Sequence, residues 1–338
     1  MKTKKIKNDN HPITIYDVAR VAGVSMATVS RVVNGVSNVK EDTKKHVLRV
    51  IDELDYRPNA IARGLASKRS TTIGIVLPSF THSFYSRIIV GIDDVARMYN
   101  YNILIANSDG DPEKEIALID DFASKQVDGL VFMGLDLSDN VRQKLSRLRT
   151  PVILAGVTDP QEKIYAVSID HKKAVEEAVD LLAKKHEKVA LITGALKSST
   201  NTERFEGYKA ALKANKRKYN ELQVIETPYN YKAGKKLVSR ILSTEATALF
   251  ITDDEVAAGV LNGLLDEGVK VPEDIEIISS NNTIVTNYTR PNLTSIDQPL
   301  YDVGAVSMRF LTKLINKEEI EEKTALLPYR MAIKQSTK

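Results

Sequence analysis

The chain contains 338 residues, of which 43% are hydrophobic and 27% are charged. This length allows a small domain in addition to a core of two lobes. The chain contains no cysteine, which excludes a disulfide framework and a thiolate zinc site. The lysine-rich N-terminus has no apolar stretch long enough for a signal peptide or a membrane span. We therefore expect a cytoplasmic protein with no membrane contact.

Charge is distributed unevenly along the chain. Residues 1–70 contain 14 Lys and Arg and 7 Asp and Glu, a net charge of +7. Since the net charge of the whole chain is +4, the remaining residues carry a net charge of −3. A basic head on a slightly acidic body is typical of a DNA-binding module attached to a regulatory module. We interpret residues 1–13 as a flexible basic tail with a weak, non-specific attraction for phosphate.

Residues 14–35 have the spacing of a helix-turn-helix. A first helix is predicted from about Tyr16 to Val21, Gly23 occupies the turn, where positive φ is needed, and Ser25 can cap a second helix. The side chains expected to face inward from that helix are Val29, Val32 and Val33. Small or polar side chains and one arginine cover the opposite face, which suits the major groove of DNA. The same pattern also fits an ordinary helical hairpin.

A third helix is predicted from about Glu41 to Leu54. Its apolar side carries Val47, Leu48, Ile51 and Leu54. Pro58 would end this helix, and Asn59 can cap a further short helix that reaches about Ser67. Because a helix of about nine residues is marginal in water, we expect it to form against a partner such as the minor groove, where a leucine can wedge between base steps. A basic linker is the alternative.

The residues from Thr14 to Arg69 resemble the headpiece and hinge of the lac/gal repressor family. The resemblance rests on YDVA at residues 16–19, SMATVSRVVNG at 25–35 and YRPNAIARGLAS at 56–67. It is closest to the branch of the family that controls carbon catabolism in low-GC Gram-positive bacteria. It implies that the major groove is approached by Thr14, Tyr16, Ser25, Met26, Ala27, Thr28, Ser30, Arg31 and Asn34. It also implies minor-groove contacts from Asn59, Ala62, Leu65, Ala66 and Lys68, with Leu65 as the wedge.

After Ser70, short apolar runs alternate with helical stretches of ordinary length. The predicted strands are residues 72–77, 102–106, 127–133, 151–155, 188–193, 246–251 and 274–278. Buried strands that alternate with helices indicate parallel sheets covered on both faces. The predicted fold class is therefore an all-α helix-turn-helix headpiece followed by an α/β core of two doubly wound parallel-sheet lobes, with a ligand cleft at the carboxyl ends of the strands.

The core resembles the periplasmic-binding-protein-like core of the same family, in which the chain crosses between the lobes three times. We expect these crossings near residues 168–171, 295–299 and 328–331, which returns a last helix, Tyr301 to Asn316, to the first lobe. The predicted domains are a tail (1–13), a headpiece (14–58), a hinge (59–70) and a core (71–338). Within the core, the N-lobe takes about 71–168 and 299–328, and the C-lobe takes about 171–295 and 331–338.

Enzyme signatures are missing from the sequence of the core. No G-x-G-x-x-G or G-x-x-x-x-G-K-[ST] motif follows a strand, so neither a dinucleotide site nor a P-loop is expected. The five histidines are scattered, without an H-x-x-x-H or H-E-x-x-H pair. The triplet Asp253-Asp254-Glu255 fits a catalytic or metal cluster, but carboxylates at the start of a helix usually act as caps. We expect no enzyme, no catalytic or metal-binding residues and no cofactor.

The resemblance implies that a small sugar or purine binds in the cleft. Where the family commonly has an aspartate soon after a strand that ends at Ile278, this chain has Asn281, and an amide lacks the charge-assisted strength of a carboxylate. Tight sugar binding is therefore not expected, and a weak adjunct effector such as a sugar phosphate fits better. The expected cleft residues, each of which fits a packing or surface role equally well, are His82, Tyr85, Arg204, Tyr229, Asp253 and Asn281.

Arg309 and Lys313 lie four positions apart in the last helix and so share one face, which Arg330 on the terminal strand could join. Such cations can hold a phosphoryl group through charge-assisted bonds, but on sequence alone a solvated surface is the more frequent role. The resemblance favours the binding role, because it implies that serine-phosphorylated HPr docks here as corepressor. The residues concerned are Asp94, Tyr301, Asp302, Val306, Arg309, Lys313 and Arg330.

The combined prediction is a transcription regulator of carbon catabolite repression and activation. The two headpieces of a homodimer bind a pseudo-palindromic, double-stranded operator. The protein exists in two states, in which the hinge segments are either folded or unfolded, and phosphorylated HPr shifts the equilibrium between these states. A dimer is favoured over a tetramer because the sequence shows no leucine-heptad tail. Two alternatives are a local operon repressor of the same fold controlled by a sugar and, more remotely, a sugar-binding enzyme.

Overall fold

The structure, a computed structural model, describes residues 13–33, 35, 38–57 and 69–338. The chain divides into two compact units after Ser70. In its described part, the first unit contains α1 (Ile15–Ala22), α2 (Met26–Val33) and α3 (Glu41–Glu53). The predictions for residues 1–12 and for Asn34, Pro58, Asn59, Ala62, Leu65, Ala66 and Lys68 lie outside the described residues.

The three helices of the first unit enclose a small core of valines and alanines. Val18, Val29 and Val47 have no solvent exposure. Gly23 has a φ of 64° and ends α1 in the left-handed conformation, as the turn requires. The backbone N–H of Thr28 donates to Ser25 Oγ over 3.2 Å, which confirms the predicted cap of α2.

Two details of the predicted third helix are wrong. Leu48 is 45% exposed, and Val50 lies in the core instead, because the apolar side of α3 is centred on Val47 and Val50. The helix ends at Glu53, which agrees with the predicted end at about Leu54, but Pro58 is too far along the chain to be the residue that ends it. Asp55 follows with a φ of 46°, a left-handed conformation that turns the chain away from the helix axis.

Residues 69–338 form two six-stranded sheets with helices on both sides. The strands are β1 (Thr72–Leu77), β2 (Asn102–Asn107), β3 (Gly129–Phe132), β4 (Val152–Ala155), β5 (Tyr165–Ser168), β6 (Val189–Thr193), β7 (Val224–Glu226), β8 (Ala248–Ile251), β9 (Glu276–Ser280), β10 (Thr294–Asp297), β11 (Thr324–Leu326) and β12 (Arg330–Ala332). The helices are α4 (Ser83–Met98), α5 (Pro112–Ser124), α6 (Asp139–Ser146), α7 (His171–Ala183), α8 (Ser199–Ala214), α9 (Tyr231–Lys236), α10 (Val238–Ser243), α11 (Asp254–Asp266), α12 (Val285–Tyr288) and α13 (Leu300–Asn316).

Each sheet belongs to one lobe of the core. The strand orders are β11-β5-β4-β3-β1-β2 in the N-lobe and β12-β10-β9-β8-β6-β7 in the C-lobe. The strands pair in parallel except at the edge of the second sheet, where β12 runs antiparallel to β10. The chain passes between the sheets after β5, after β10 and after β11, so α13 packs on the N-lobe through residues such as Met308 and Leu311.

The long helices of the N-lobe touch through glycine. A Cβ atom on Gly304 of α13 would lie 2.0 Å from the carbonyl oxygen of Ile88, and one on Gly91 of α4 would lie 2.0 Å from that of Tyr301. Only glycine permits this approach of two backbones, so α4 and α13 form one rigid layer. No helix among the described residues is both long and apolar enough to cross a membrane.

Candidate functional sites

The outer face of α2 is available for a partner. Met26 is 41% exposed, Ala27 and Arg31 are exposed, and Thr28 and Ser30 are half-buried. Arg31 forms no ion pair or hydrogen bond with any described residue. Its planar guanidinium is therefore free to make the bidentate contact with a guanine that is the commonest specific contact in DNA recognition.

The start of α1 is fixed by a local network. The backbone N–H and the hydroxyl of Thr14 donate to Asp17 Oδ2 over 3.1 and 2.7 Å, and Arg20 pairs with the other oxygen of Asp17 at 2.7 Å. The hydrogen bonds from Thr14 hold the pKa of Asp17 below its usual value. Thr14 therefore caps α1. Tyr16, two residues later, is 67% exposed.

All six residues expected in the cleft line a single cavity of about 300 Å³ between the lobes. They arrive from different elements, at the carboxyl ends of β1, β7, β8 and β9 and from α8. These six are His82, Tyr85, Arg204, Tyr229, Asp253 and Asn281. Among the further polar residues of this cleft that sequence reasoning missed are Asn201, Thr252 and Glu255. Asn201 lies one helical turn before Arg204, and this spacing was a signal for it.

Arg204 is a buried cation that forms no ion pair within residues 69–338. It is only 7% exposed, and its Nη1 donates to Asn201 Oδ1 over 3.2 Å and to Tyr229 Oη over 3.3 Å. None of the carboxylates in residues 69–338 pairs with it, and its Nε has no hydrogen-bond partner there. Since a buried charge is costly unless it is paired, this geometry favours an anionic group in the cleft.

Asn281 presents a donor to the cleft rather than an acceptor. Gln298 Nε2 donates both to the carbonyl oxygen of Ser280 over 3.3 Å and to Asn281 Oδ1 over 2.8 Å. The first contact fixes the orientation of the Gln298 amide, so the oxygen of Asn281 must face it. The NH₂ group of Asn281 is then its free group, which reverses the polarity that an aspartate would give.

His82 and Asp253 meet across the cleft. His82 Nε2 lies 3.0 Å from Asp253 Oδ2, and His82 Nδ1 accepts from the backbone N–H of Phe84 over 3.3 Å. The other oxygen of Asp253 accepts from the backbone N–H groups of Glu255 and Val256, each over 3.0 Å. Asp253 is therefore the cap of α11, as the sequence predicted. Burial alone would lower the pKa of His82, but Asp253 and Glu255 raise it above its ordinary value.

The exposed side of α13 carries the residues expected to bind a corepressor. Asp302, Arg309 and Lys313 are exposed and Val306 is half-buried between them. At the start of the helix, Tyr301 donates to Asp94 Oδ2 of α4 over 3.0 Å.

Sequence reasoning missed Arg87, whose guanidinium lies 5.5 Å from the centre of the Tyr301 ring. This distance is within the range of a cation–π contact, so the α4 side of this surface carries a cation as well as Asp94.

Arg330, which could join Arg309 and Lys313, forms an ion pair of its own. Its Nε pairs with Asp297 Oδ2 at 2.6 Å, because β12 pairs with β10 and places the two residues opposite each other. Arg330 also lines a groove of about 840 Å³ together with Tyr301 and Asp302. Arg309 lies two turns further along α13, outside this groove.

Comparison with known proteins agrees with both units. Residues 14–59 match the bacterial regulatory proteins of the lacI family. Residues 70–335 match the periplasmic binding proteins and sugar binding domain of the LacI family. The chain belongs to the LacI family of bacterial regulatory proteins.

Individual relatives are similar over most of the chain. Catabolite control protein A of Streptococcus mutans is 53% identical over 332 residues, which are 98% of this chain and all of that protein. The crystal structure of the transcription regulator CcpA of Lactococcus lactis is 45% identical, covers 79% of this chain and 99% of its own, and has a TM-score of 0.76. The lac repressor dimer bound to operator and an anti-inducer has a TM-score of 0.87 at 26% identity and covers 97% of this chain and 99% of its own.

These findings confirm the predicted class. The protein is a transcription regulator with a LacI-type DNA-binding domain, and it belongs with the regulators of carbon catabolism. The relatives that it matches are transcription regulators rather than enzymes.

Proposed function

We propose that the protein acts as a homodimer on pseudo-palindromic operators, with serine-phosphorylated HPr as its corepressor. The observation that carries the proposal is the pair Arg309 and Lys313, two exposed cations on one face of α13. Neither pairs with a carboxylate within residues 69–338. The similarity to catabolite control proteins over nearly the whole chain supports the same function.

A phosphoserine suits this surface. Two like charges at i and i+4 destabilise a helix by roughly 0.2–0.5 kcal/mol, and a phosphoserine with a charge of about −1.5 to −2 relieves that repulsion. Val306 supplies an apolar contact in the middle of the face. The Tyr301–Asp94 pair lies at its other end. A partner that docks here therefore touches both α4 and α13.

Homodimer formation is supported by apolar side chains at one edge of the N-lobe. Met98 is 72% exposed, Tyr99 49% and Val90 44%, all on or just after α4. Leu104 on β2, the edge strand of the sheet, is 41% exposed. Large exposed apolar side chains on a helix and on the edge strand next to it favour a protein interface over a free surface.

The cleft would take a sugar phosphate as a weak adjunct effector. Arg204 supplies an unpaired buried charge, and the free NH₂ of Asn281 adds a donor. Both groups suit phosphate oxygens. A neutral sugar would leave the charge of Arg204 uncompensated.

The test is operator binding by fluorescence anisotropy at fixed salt, with and without serine-phosphorylated HPr. Unphosphorylated HPr and a panel of sugar phosphates serve as controls. We expect affinity to rise only with the phosphoprotein, and Arg309→Ala to abolish the rise while basal DNA binding stays the same. Lys232→Ala removes an exposed lysine of the C-lobe and should retain the response. A response to one sugar phosphate alone would replace this proposal with a local, sugar-controlled repressor.

A further inference from the structure

Hydrogen bonds between polar groups connect the N-lobe to the C-lobe. The backbone N–H of Ser199 donates to Asp136 Oδ1 over 3.1 Å, and the hydroxyl of Thr158 donates to Glu203 over 3.2 Å. Both are hydrogen bonds at the start of α8. The contact between His82 and Asp253 differs from them, because it joins two ionisable side chains, at 3.0 Å, and both residues line the cleft.

Both partners of this contact are buried. His82 is 8% exposed and Asp253 is 3% exposed, so water screens their interaction only weakly. Because His82 Nδ1 accepts from the backbone N–H of Phe84, the neutral ring carries its proton on Nε2. This nitrogen lies 3.0 Å from Asp253 Oδ2 without the alignment of a hydrogen bond. In this form the ring caps α4 and makes a charge–dipole contact with the C-lobe.

A second proton changes what His82 does. It must bind at Nδ1, where it displaces the hydrogen bond from Phe84 and so removes the cap of α4. In return, the contact with Asp253 becomes a full ion pair across the lobes. Protonation therefore exchanges a bond within the N-lobe for a stronger bond to the C-lobe.

The charges around His82 favour the cation. The acids that act on it are Asp253, Asp254 and Glu255 at the start of α11. Glu255 Oε1 is 4.0 Å from the ring nitrogen. The other polar or charged groups lining the same cleft include Arg204 of α8, Tyr229 and Asp109, and the Tyr85 ring lies 5.6 Å from that of His82. The carboxylates around the cleft therefore outnumber its one arginine, and the net negative charge favours the protonated form of His82.

We propose that His82 and Asp253 form a proton-operated latch that closes the cleft without a ligand. Two-lobed binding proteins close around a ligand that touches both lobes, and here two side chains of the chain itself bridge the lobes. The pKa of His82 is raised above its ordinary value, so the latch is strongest below about pH 6.5 and weakens as the pH rises through the raised value.

The distance between the lobes tests the latch directly. The chain has no cysteine, so Arg147→Cys in the N-lobe and Lys213→Cys in the C-lobe, both at exposed positions, give one pair of spin labels in each protomer for pulsed electron paramagnetic resonance. An excess of unlabelled protein is mixed in, so that most dimers contain at most one labelled protomer and the distance within a protomer dominates. We expect a short distance to dominate at pH 6 and a longer one to gain population up to pH 8.5. A shift of one pKa unit corresponds to about a tenfold change in the closing equilibrium.

Two variants distinguish the effect of the charge on Asp253 from the capping roles of Asp253 and His82. Asp253→Asn retains an oxygen that can cap α11 but removes the charge, and His82→Asn retains an acceptor for the N–H of Phe84. Both should show the long distance already at pH 6 and no pH dependence. Asp111→Asn changes an exposed capping aspartate of α5 and should behave as the parent protein.

Proton NMR of the histidine Cε1 protons supplies a second readout. The pKa of His82, assigned by its absence in His82→Asn, should fall in Asp253→Asn. The latch is wrong if the parent distance does not change between pH 6 and 8.5, or if Asp253→Asn keeps the short distance at pH 6. Neither measurement needs DNA or a phosphoprotein, so the outcome is independent of the function proposed above.

Discussion

Tyr301 and Asp94 join two helices of the N-lobe through a hydrogen bond of 3.0 Å, although they lie 207 positions apart in the chain. The hydrogen bond to Asp94 is the main cause that raises the pKa of Tyr301. The two helices also touch through Gly91 and Gly304. A ligand that binds Asp94 and α13 together therefore binds a preformed surface, which reduces the ordering cost of association.

Tyr301→Phe tests whether this surface is the docking site. The variant keeps the aromatic ring beside Arg87 and removes only the hydroxyl that fixes Asp94. We expect a severalfold weaker response to serine-phosphorylated HPr and unchanged basal operator affinity, both measured by anisotropy. Tyr219→Phe removes an exposed hydroxyl from the C-lobe and is the matched control. Equal responses of the two variants would place the docking site elsewhere.

Arg31→Ala tests the reading of base edges by α2. Loss of a bidentate contact to a guanine should cost roughly 1–3 kcal/mol on the specific operator and much less on random DNA. Arg49→Ala removes an exposed arginine of α3 in the same unit and controls for the change in net charge. Competition titrations with both DNAs at one salt concentration decide the outcome. Equal losses on specific and random DNA would show that Arg31 contacts only phosphate.

The headpiece was predictable from sequence because its signals are local. The glycine at position 23, the cap at Ser25 and the valine spacing of α2 each depend on residues within one or two turns. The exposed position of Leu48 was missed, because Leu48 and Val50 are both apolar and sequence alone does not decide which of them faces α1 and α2.

The composition of the cleft was predictable for a topological reason. The carboxyl ends of parallel strands meet at one edge of each sheet, so residues that follow β1, β7, β8 and β9 had to converge. Pairing between particular side chains was not predictable. The contact of His82 with Asp253 depends on how the two lobes face each other, and that of Arg330 with Asp297 depends on the register of an antiparallel edge strand.

Gly304→Ala should destabilise the core, because a Cβ atom at this position would lie 2.0 Å from the backbone oxygen of Ile88. Overpacking of this kind costs about 1–3 kcal/mol. Ser307→Ala, three residues later on α13, removes a buried hydroxyl that has no hydrogen-bond partner among the described residues and should be neutral or slightly stabilising. Urea unfolding of the parent and both variants measures the free energies. A neutral Gly304→Ala would show that α4 and α13 can separate freely.

Glu115 should make the core less stable as the pH rises. Its side chain is buried, and burial raises its pKa from 4.5 to about 7. The folded state therefore holds a proton that the unfolded state releases, so the free energy of unfolding falls between about pH 4.5 and pH 7 by at most about 3 kcal/mol. Glu115→Gln keeps the contact with Ser108 without the charge, and should be more stable than the parent at pH 8 but not at pH 4.5. Glu113→Gln, on the exposed side of the same helix, should follow the parent at both values in urea titrations. If Glu115→Gln gained nothing at pH 8, the carboxylate would have to be solvated in the folded state, and its burial beside Ser108 would not control its ionisation.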